Sequence, residues 1–436
     1  MKKSEVSIFW FRRDLRLEDN HGLSQALQGN YPVLPVFIFD SNITNELEQD
    51  DPRISFIYDQ LKKMNLQLKQ RQASVICLKG DPISIWKQLL TDYDVKEVYA
   101  NEDYEPYAIQ RDNDIRQLLN DFGKPFHLYK DQVIFAKNDI VKSDNTPYTV
   151  FTPYKNKWLQ AFDSSIVLHF HPMKLDKVFQ LKLNLPTLES LGFRRSKIKV
   201  IDYNLTDIGS YEKTRNYPYM DRTSYLSPHL RFGTVSIRSI INQAQKNATF
   251  LSELIWREFF MQILFHFPHV VNSNFKRKYD FIEWRNDPEE FEKWKKGITG
   301  YPFVDAGMRQ LNETGYLHNR ARMIVAGFLC KHLLIDWRWG EAYFAQKLLD
   351  YELSSNNGNW QWAAGTGCDA APYFRVFNPT SQVKKFDPEL KYIKKWVPDF
   401  QTYDYPAPMV DHAAARERAI TTFKKGLQNS IENIHS

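Results

Sequence analysis

The chain has 436 residues, a length that favours two domains. Hydrophobic residues make up 43% of it and charged ones 25%, which excludes a disordered or fibrous chain and supplies full cores. The net charge of +6 is a mild basic excess, suited to a polyanion such as nucleic acid without demanding one. Cys77, Cys330 and Cys368 lack metal-ligand spacing and are too few for a disulfide framework, so no metal is expected and a reducing compartment is. Met-Lys-Lys-Ser-Glu leads straight into a strand-like run, without the apolar segment of a signal peptide. No stretch is long and apolar enough to span a bilayer. A cytoplasmic monomer is the expectation.

In chain order, residues 6–11, 33–40, 74–79, 97–101 and 126–129 are short apolar runs, with helical patterns such as 54–72 and 82–93 between them. Buried strands alternating with helices indicate βαβ units, hence an α/β domain with a parallel sheet over 1–130. No Gly-x-Gly-x-x-Gly follows the first run, so the dinucleotide fingerprint is absent. Arg12, Arg13 and Arg16 after that run are expected in a solvated turn. The pattern breaks down over 131–200. Phe151-Thr152-Pro153-Tyr154 reads as irregular, Pro172 and Pro186 interrupt later stretches, and Arg194-Arg195-Ser196-Lys197 reads as solvated surface. This is the signature of a long interdomain connection that packs on something.

From 201 to 436 the periodicity is helical, giving an all-α C-terminal domain. Ser227 before Pro228 predicts a capped helix start, either an ordinary one or one facing a phosphate. Residues 251–267 form a buried helical pattern in which Glu253, Trp256 and Arg257 share a face, and a Glu253–Arg257 ion pair is the simplest arrangement. Residues 316–323 continue a helix, with Asn319 and Met323 one turn apart. The stretch 350–381 reads like neither an ordinary helix nor a strand. Carboxylates Asp350 and Glu352 precede amides Asn356 and Asn357, then indoles Trp360 and Trp362, with small residues from Ala363 to Gly367 behind. Such a set suits a flat ligand with polar edges, and equally a polar loop with two core tryptophans. Residues 413–427 are a plausible surface helix.

These blocks resemble the DNA photolyase/cryptochrome family in its class I cyclobutane pyrimidine dimer photolyase form. The likeness covers nearly the whole chain and is closest over 223–396. Trp-Phe-Arg-Arg-Asp-Leu-Arg at 10–16 is similar in photolyases and cryptochromes alike. The resemblance implies a Rossmann-like antenna domain and a helical domain that binds flavin adenine dinucleotide (FAD). Tyr211, Thr223, Ser224, Tyr225, Leu226 and Ser227 would contact its phosphates. Asp350, Tyr351 and Glu352 would lie beside its adenosine and ring system, Arg257 near flavin and DNA, and Asn356 against flavin N5. Arg215 would face DNA. Glu253 would bond the pyrimidine edge of the lesion, Trp256 and Trp362 would wall it, and Asn319 and Met323 would line its site. A single His318 in that block favours cyclobutane dimers over (6-4) products. Trp360, Trp337 and Trp284 match the family's electron-hopping chain, and each also suits core packing. Many members carry a folate or deazaflavin antenna. Tyr107 and Ala108 stand where folate binders place an Asn-Glu pair, so the antenna's identity is left open. The implied activity is that of a deoxyribodipyrimidine photolyase, a lyase that repairs UV-damaged DNA with light by electron transfer from reduced FAD. The alternative is a blue-light sensor acting through a protein partner.

Overall fold

The computed structural model describes residues 3–163, 170 and 175–432, so Pro172 lies outside the described residues. Its contacts group the chain into two compact units. The first comprises Met1–Asp139, Leu159–Tyr203 and Tyr225–Gln245, and the second Ile140–Trp158, Asn204–Ser224 and Lys246–Ser436. The division does not follow chain order as the boundaries at 130 and 200 would. Residues 225–245, helical in sequence, group with the sheet.

In the first unit, strands β1 (Glu5–Phe11), β2 (Val33–Asp40), β3 (Ile76–Gly80), β4 (Asp94–Asn101) and β5 (Phe126–Tyr129) form one parallel sheet in the order β3-β2-β1-β4-β5. The expected α/β architecture is what the chain adopts. Side chains alternate across the sheet, so Phe9, Phe11, Phe37 and Phe39 enter one core while Ile8, Trp10, Val36 and Ile38 enter another. Helix Pro82–Asp92 starts where the sequence predicts and helix Pro52–Lys69 starts two residues before the predicted 54, because Asp81 and Asp51 cap them ahead of a first-position proline.

The arginines after β1 are not in a solvated turn. β1 lies between β2 and β4, where the winding of the sheet reverses at the strands' carboxyl ends. Arg12 pairs there with Asp112 and donates to the Asn101 carbonyl. Arg13 meets Asp103 and Glu105, each at 3.0 Å. Arg16 meets Asp131 at 2.6 Å, and Arg238 shares that carboxylate at 2.7 Å while also holding Asp19. Burial alone would raise the Asp131 carboxyl, but Arg16 and Arg238 outweigh it and hold it at about 2. The carboxylates come from segments about 90 to 115 positions away along the chain, so no local pattern announces them.

The 131–200 stretch is partly regular. Phe151–Ala161 is a helix, not an irregular segment. Pro153 falls in its first turn, where its missing N–H costs nothing. Further on, the Phe179 amide donates to the Val33 carbonyl at 2.7 Å and Lys79 to the Leu191 carbonyl at 2.5 Å, so this part packs along the first unit. Arg194, Arg195 and Lys197 are exposed, as expected, but Ser196 is buried with its amide donating to Ser55 Oγ at 3.0 Å, and Arg195 pairs with Asp59 at 2.7 Å.

The second unit is helical. Its core gathers Trp294, Phe303, Met308, Leu329, Trp337, Phe344 and Trp360 from several helices. One expected helix is broken. Pro302–Thr314 stops at Gly315 in the left-handed region, and a new helix, Asn319–Gly327, starts after His318, whose Nδ1 accepts from the Arg320 amide. Burial and then Arg320 and Arg322 push the His318 imidazolium down to about 4, so the ring is a neutral acceptor at neutral pH. No helix among the described residues is long and apolar enough to cross a membrane.

Candidate functional site

Helix Ala248–His266, capped by Asn247, carries the first group of candidates. Glu253 does not pair with its helix neighbour Arg257. It meets Arg215 at 2.7 Å, from the short helix-flanking segment after Tyr211, while Arg257 Nε lies 3.5 Å from Glu352 Oε2. The i,i+4 pairing loses because each side chain finds an oppositely charged partner on another element. Burial raises the Glu253 carboxyl and Arg215 lowers it, with burial the larger effect. The Arg215 guanidinium also lies 5.4 Å from the centre of the Tyr211 ring. Burial and then Glu253 push the Tyr211 phenol up to about 12, so it stays a neutral donor.

One turn along the same helix, the Trp256 indole stacks on Phe151 with centroids 3.6 Å apart and planes 9° apart. Trp256 and Trp362 line one narrow pocket, without room for a water molecule, together with Phe260, Gly358, Cys368 and Asp369. Asp369 accepts from the Phe151 amide at 3.1 Å, tying the start of the 151–161 helix to the pocket wall. Gly358 is required here, since a Cβ would overlap the Phe260 ring.

Helix Leu353–Ala364 holds the second group and buries Ser354, Asn356, Asn357, Trp360 and Gln361. Asn356 Nδ2 donates to the Glu341 carbonyl at 3.1 Å, so the amide is oriented with its Oδ1 as the end that bond leaves for a donor. Asn357 Nδ2 donates to the Val270 carbonyl and to Glu341 Oε1. Burial pushes the Glu341 carboxyl up to about 7. Ser354 Oγ is buried without a protein partner, an orphan that a ligand's polar edge would satisfy. Asp350 takes two bonds from Arg322, at 2.8 and 3.1 Å. Tyr351 packs at the edge of the core. Asn319 and Met323 lie a turn apart on the 319–327 helix, the first exposed and the second half-buried. Trp360 and Trp337 are buried and Trp284 packs half-buried against the same core.

The predicted phosphate block departs from expectation. The helix there is Leu226–Arg231, only six residues long, and its cap position is Tyr225 at φ 53° with no side-chain capping bond. Ser227 is therefore not the cap, and it is exposed. Pro228 sits third, where proline is still tolerated. Thr223 and Ser224 belong to the second unit, and Tyr225, Leu226 and Ser227 to the first.

The structure adds residues that the sequence did not single out. Burial and then the nearby Arg215 lower the Arg320 guanidinium, which donates to Asn216 Oδ1 and lies 4.2 Å from the centre of the Phe386 ring. Arg322, Glu341 and Phe151 position Asp350, Asn357 and Trp256. Only the one-turn spacing of Arg320 and Arg322 with Asn319 and Met323 hinted at any of them.

Residues 7–174 match the family described as DNA photolyase, and residues 250–404 the FAD binding domain of DNA photolyase. The deoxyribodipyrimidine photo-lyase of Halobacterium salinarum is 36% identical, the match covering 96% of this chain and 99% of that protein. Among solved structures, a bacterial class III photolyase from Agrobacterium tumefaciens is 32% identical with a TM-score of 0.86, covering 98% of each chain. An archaeal photolyase from Sulfolobus tokodaii, described with two FAD molecules, is 36% identical with a TM-score of 0.84, covering 97% of this chain and all of that one.

Proposed function

Since the chain belongs to the DNA photolyase family, we propose that it repairs cyclobutane pyrimidine dimers in UV-damaged DNA, using light and bound reduced FAD. The observation that carries this reading is the meeting of Trp256 and Trp362 at one narrow pocket, with the half-buried Glu253–Arg215 pair one helical turn from Trp256. Phe151 covers one face of Trp256, so a dimer would use the remaining surface of Trp256 and of Trp362, and a base stacked on an aromatic ring is worth about 1–3 kcal/mol. A carboxyl raised by burial accepts or donates a hydrogen bond at a pyrimidine edge, and Arg215 stands ready for a phosphate once Glu253 turns to the lesion. A dimer costs less to flip out than an intact pair, which favours damaged over normal DNA.

FAD, when bound, supplies the light-driven electron that opens the cyclobutane ring and takes it back, with no net redox change. The residues fit that group. The oriented Asn356 amide offers Oδ1 to a protonated ring nitrogen, Ser354 offers an unsatisfied hydroxyl, and Arg257, Asp350 and Glu352 offer charged edges. Tyr211, Thr223, Ser224, Tyr225, Leu226 and Ser227 stay in the proposal as phosphate contacts, through hydroxyls and amides rather than a helix end. Trp360, Trp337 and Trp284 are proposed as the route by which oxidised FAD is photoreduced. For an antenna, Tyr107 is a poor folate contact, because its hydroxyl already donates to Asp40 at 2.6 Å. The absorbance spectrum of the purified holoprotein separates folate, deazaflavin and a second flavin.

The test is blue-light repair of a thymine-dimer oligonucleotide by the reduced protein, with dark and (6-4)-lesion controls. Light-dependent loss of the cyclobutane dimer alone is the expected result. Bound, photoreducible flavin without repair would overturn the reading and point to a light sensor.

A further inference from the structure

Trp337 is fully buried at the start of helix Trp337–Lys347, and its surroundings do more than fill space. Its Nε1–H donates to Asn274 Oδ1 at 2.9 Å. Asn274 is itself fully buried, and its Nδ2 donates to Asp280 Oδ1 at 2.6 Å. Its backbone amide donates to the same oxygen at 3.0 Å. The amide is thus locked with its oxygen toward the indole. Asp280 reaches solvent. Arg338 lies 4.7 Å from the indole centroid, and it is answered by Asp336 at 2.9 Å and by the same Asp280 at 3.9 Å.

The neighbouring tryptophans are anchored to this point. A Cβ on Gly340, one turn after Trp337, would overlap the outer edge of Trp360, so that indole rests on the same helix face. Toward Trp284, the Arg285 amide donates to the Leu334 carbonyl at 2.8 Å, and the Asp336 amide to Asn286 Oδ1 at 2.8 Å.

We propose that Asn274 keeps the proton on Trp337 while an electron leaves it, and that the Asp280 carboxylate steadies the positive charge left behind. The proposal rests on the electron-chain reading of Trp360, Trp337 and Trp284. With FAD bound, Trp360 would be the residue that supplies an electron to it under light, Trp337 would refill Trp360, and Trp284 would refill Trp337. A thiol reductant in solution restores Trp284. At Trp337 no N–H bond breaks, because a neutral amide oxygen is far too weak a base to take the proton. A buried indole N–H needs an acceptor for stability alone, but a carboxylate would meet that need as well. It would also take the proton from the oxidised ring and trap a neutral radical, whose reduction then has to wait for the proton's return. A neutral acceptor backed by a carboxylate gives the attraction without the trap.

The experiment uses the FAD-bound protein with oxidised flavin, a laser flash and a thiol reductant. Asn274→Asp, made together with Asp280→Asn so that the new carboxylate meets an amide donor and not a second carboxylate at 2.6 Å, is expected to convert the early tryptophan radical from its cationic to its neutral spectrum and to lower the photoreduction yield several-fold. Asp280→Asn, at a solvent-reaching site that tolerates exchange, is expected to slow the arrival of charge at Trp284 several-fold with the radical still cationic. Without light, the Trp337 indole N–H resonance of ¹⁵N-tryptophan-labelled protein is expected to move in both variants. Trp337→Phe is the control. Photoreduction surviving it would overturn the electron-chain reading and this proposal together. Photoreduction lost in Trp337→Phe, with wild-type radical spectra and rates in both other variants, would overturn the proposal alone.

Discussion

Two arginine–carboxylate clusters show how the same chemistry serves opposite ends. At the carboxyl end of β1, the Arg16 and Asp131 side chains are 9% and 1% exposed, and Arg238 completes the set. In the helical unit, Arg215 and Glu253 are 25% and 34% exposed, and Arg320 adds a second cation nearby. The first cluster is closed: its donors and acceptors are used up within the protein, and burial makes each partner costly to lose. The second is open to solvent and so available for exchange with a ligand. A charged pair of this kind is therefore better judged by its accessibility than by its distance, which differs by only 0.1 Å between the two.

The largest effect should come from breaking the closed cluster. Asp131→Asn strips two buried arginines of their shared charge and is expected to cost about 3–5 kcal/mol in chemical denaturation. The Asp131 carboxyl is lowered in the fold, so its contribution is present above its ordinary 3.8 and is lost as pH falls through about 2. Wild type and variant should converge in stability at the acid end, and parallel curves would refute the pairing. Next is the open cluster. Glu253→Gln should change folding stability by no more than about 1 kcal/mol, leave FAD absorbance intact, and weaken binding of a dimer-bearing oligonucleotide about tenfold. A large loss of stability with unchanged binding would turn the comparison around.

Glu341 offers a subtler contrast, as a buried carboxyl raised rather than lowered. Its contribution is full below its ordinary 4.5 and is lost as pH rises through about 7. Glu341→Gln should flatten the stability profile across that window, as measured by denaturation at several pH values. An unchanged slope would remove Glu341 as its source. The smallest effect is expected at the exposed pair Arg195–Asp59, where Arg195→Ala should shift stability by less than about 0.5 kcal/mol.

Much of this was legible in the residues. Short apolar runs marked all five strands, and helical patterns marked the helices that start at Pro52 and Pro82, because both signals are local. What escaped was set by distant partners. Arg12, Arg13 and Arg16 look like any charged turn until Asp112, Asp103 and Asp131 arrive from elsewhere. Ser227-Pro228 has the composition of a cap, yet Tyr225 takes the left-handed cap position and the helix starts two residues early. Phe151–Ala161 looked irregular because Thr152 and Pro153 mask a buried stripe of Phe151, Tyr154 and Trp158. At the site, the motif brought out Trp256, Trp362 and Asn356, but not Phe151 or Glu341, which act through packing and hydrogen bonds.

The shared Asp131 also sets a timetable for synthesis. Its second arginine, Arg238, lies 107 positions downstream, beyond the midpoint of the chain. A ribosome adding about 5–20 residues per second needs several seconds to cover that gap, during which Arg16 alone faces the carboxylate. The sheet therefore emerges first but is finished late, and a nascent chain stalled before Arg238 should present a loosened first unit to chaperones and proteases.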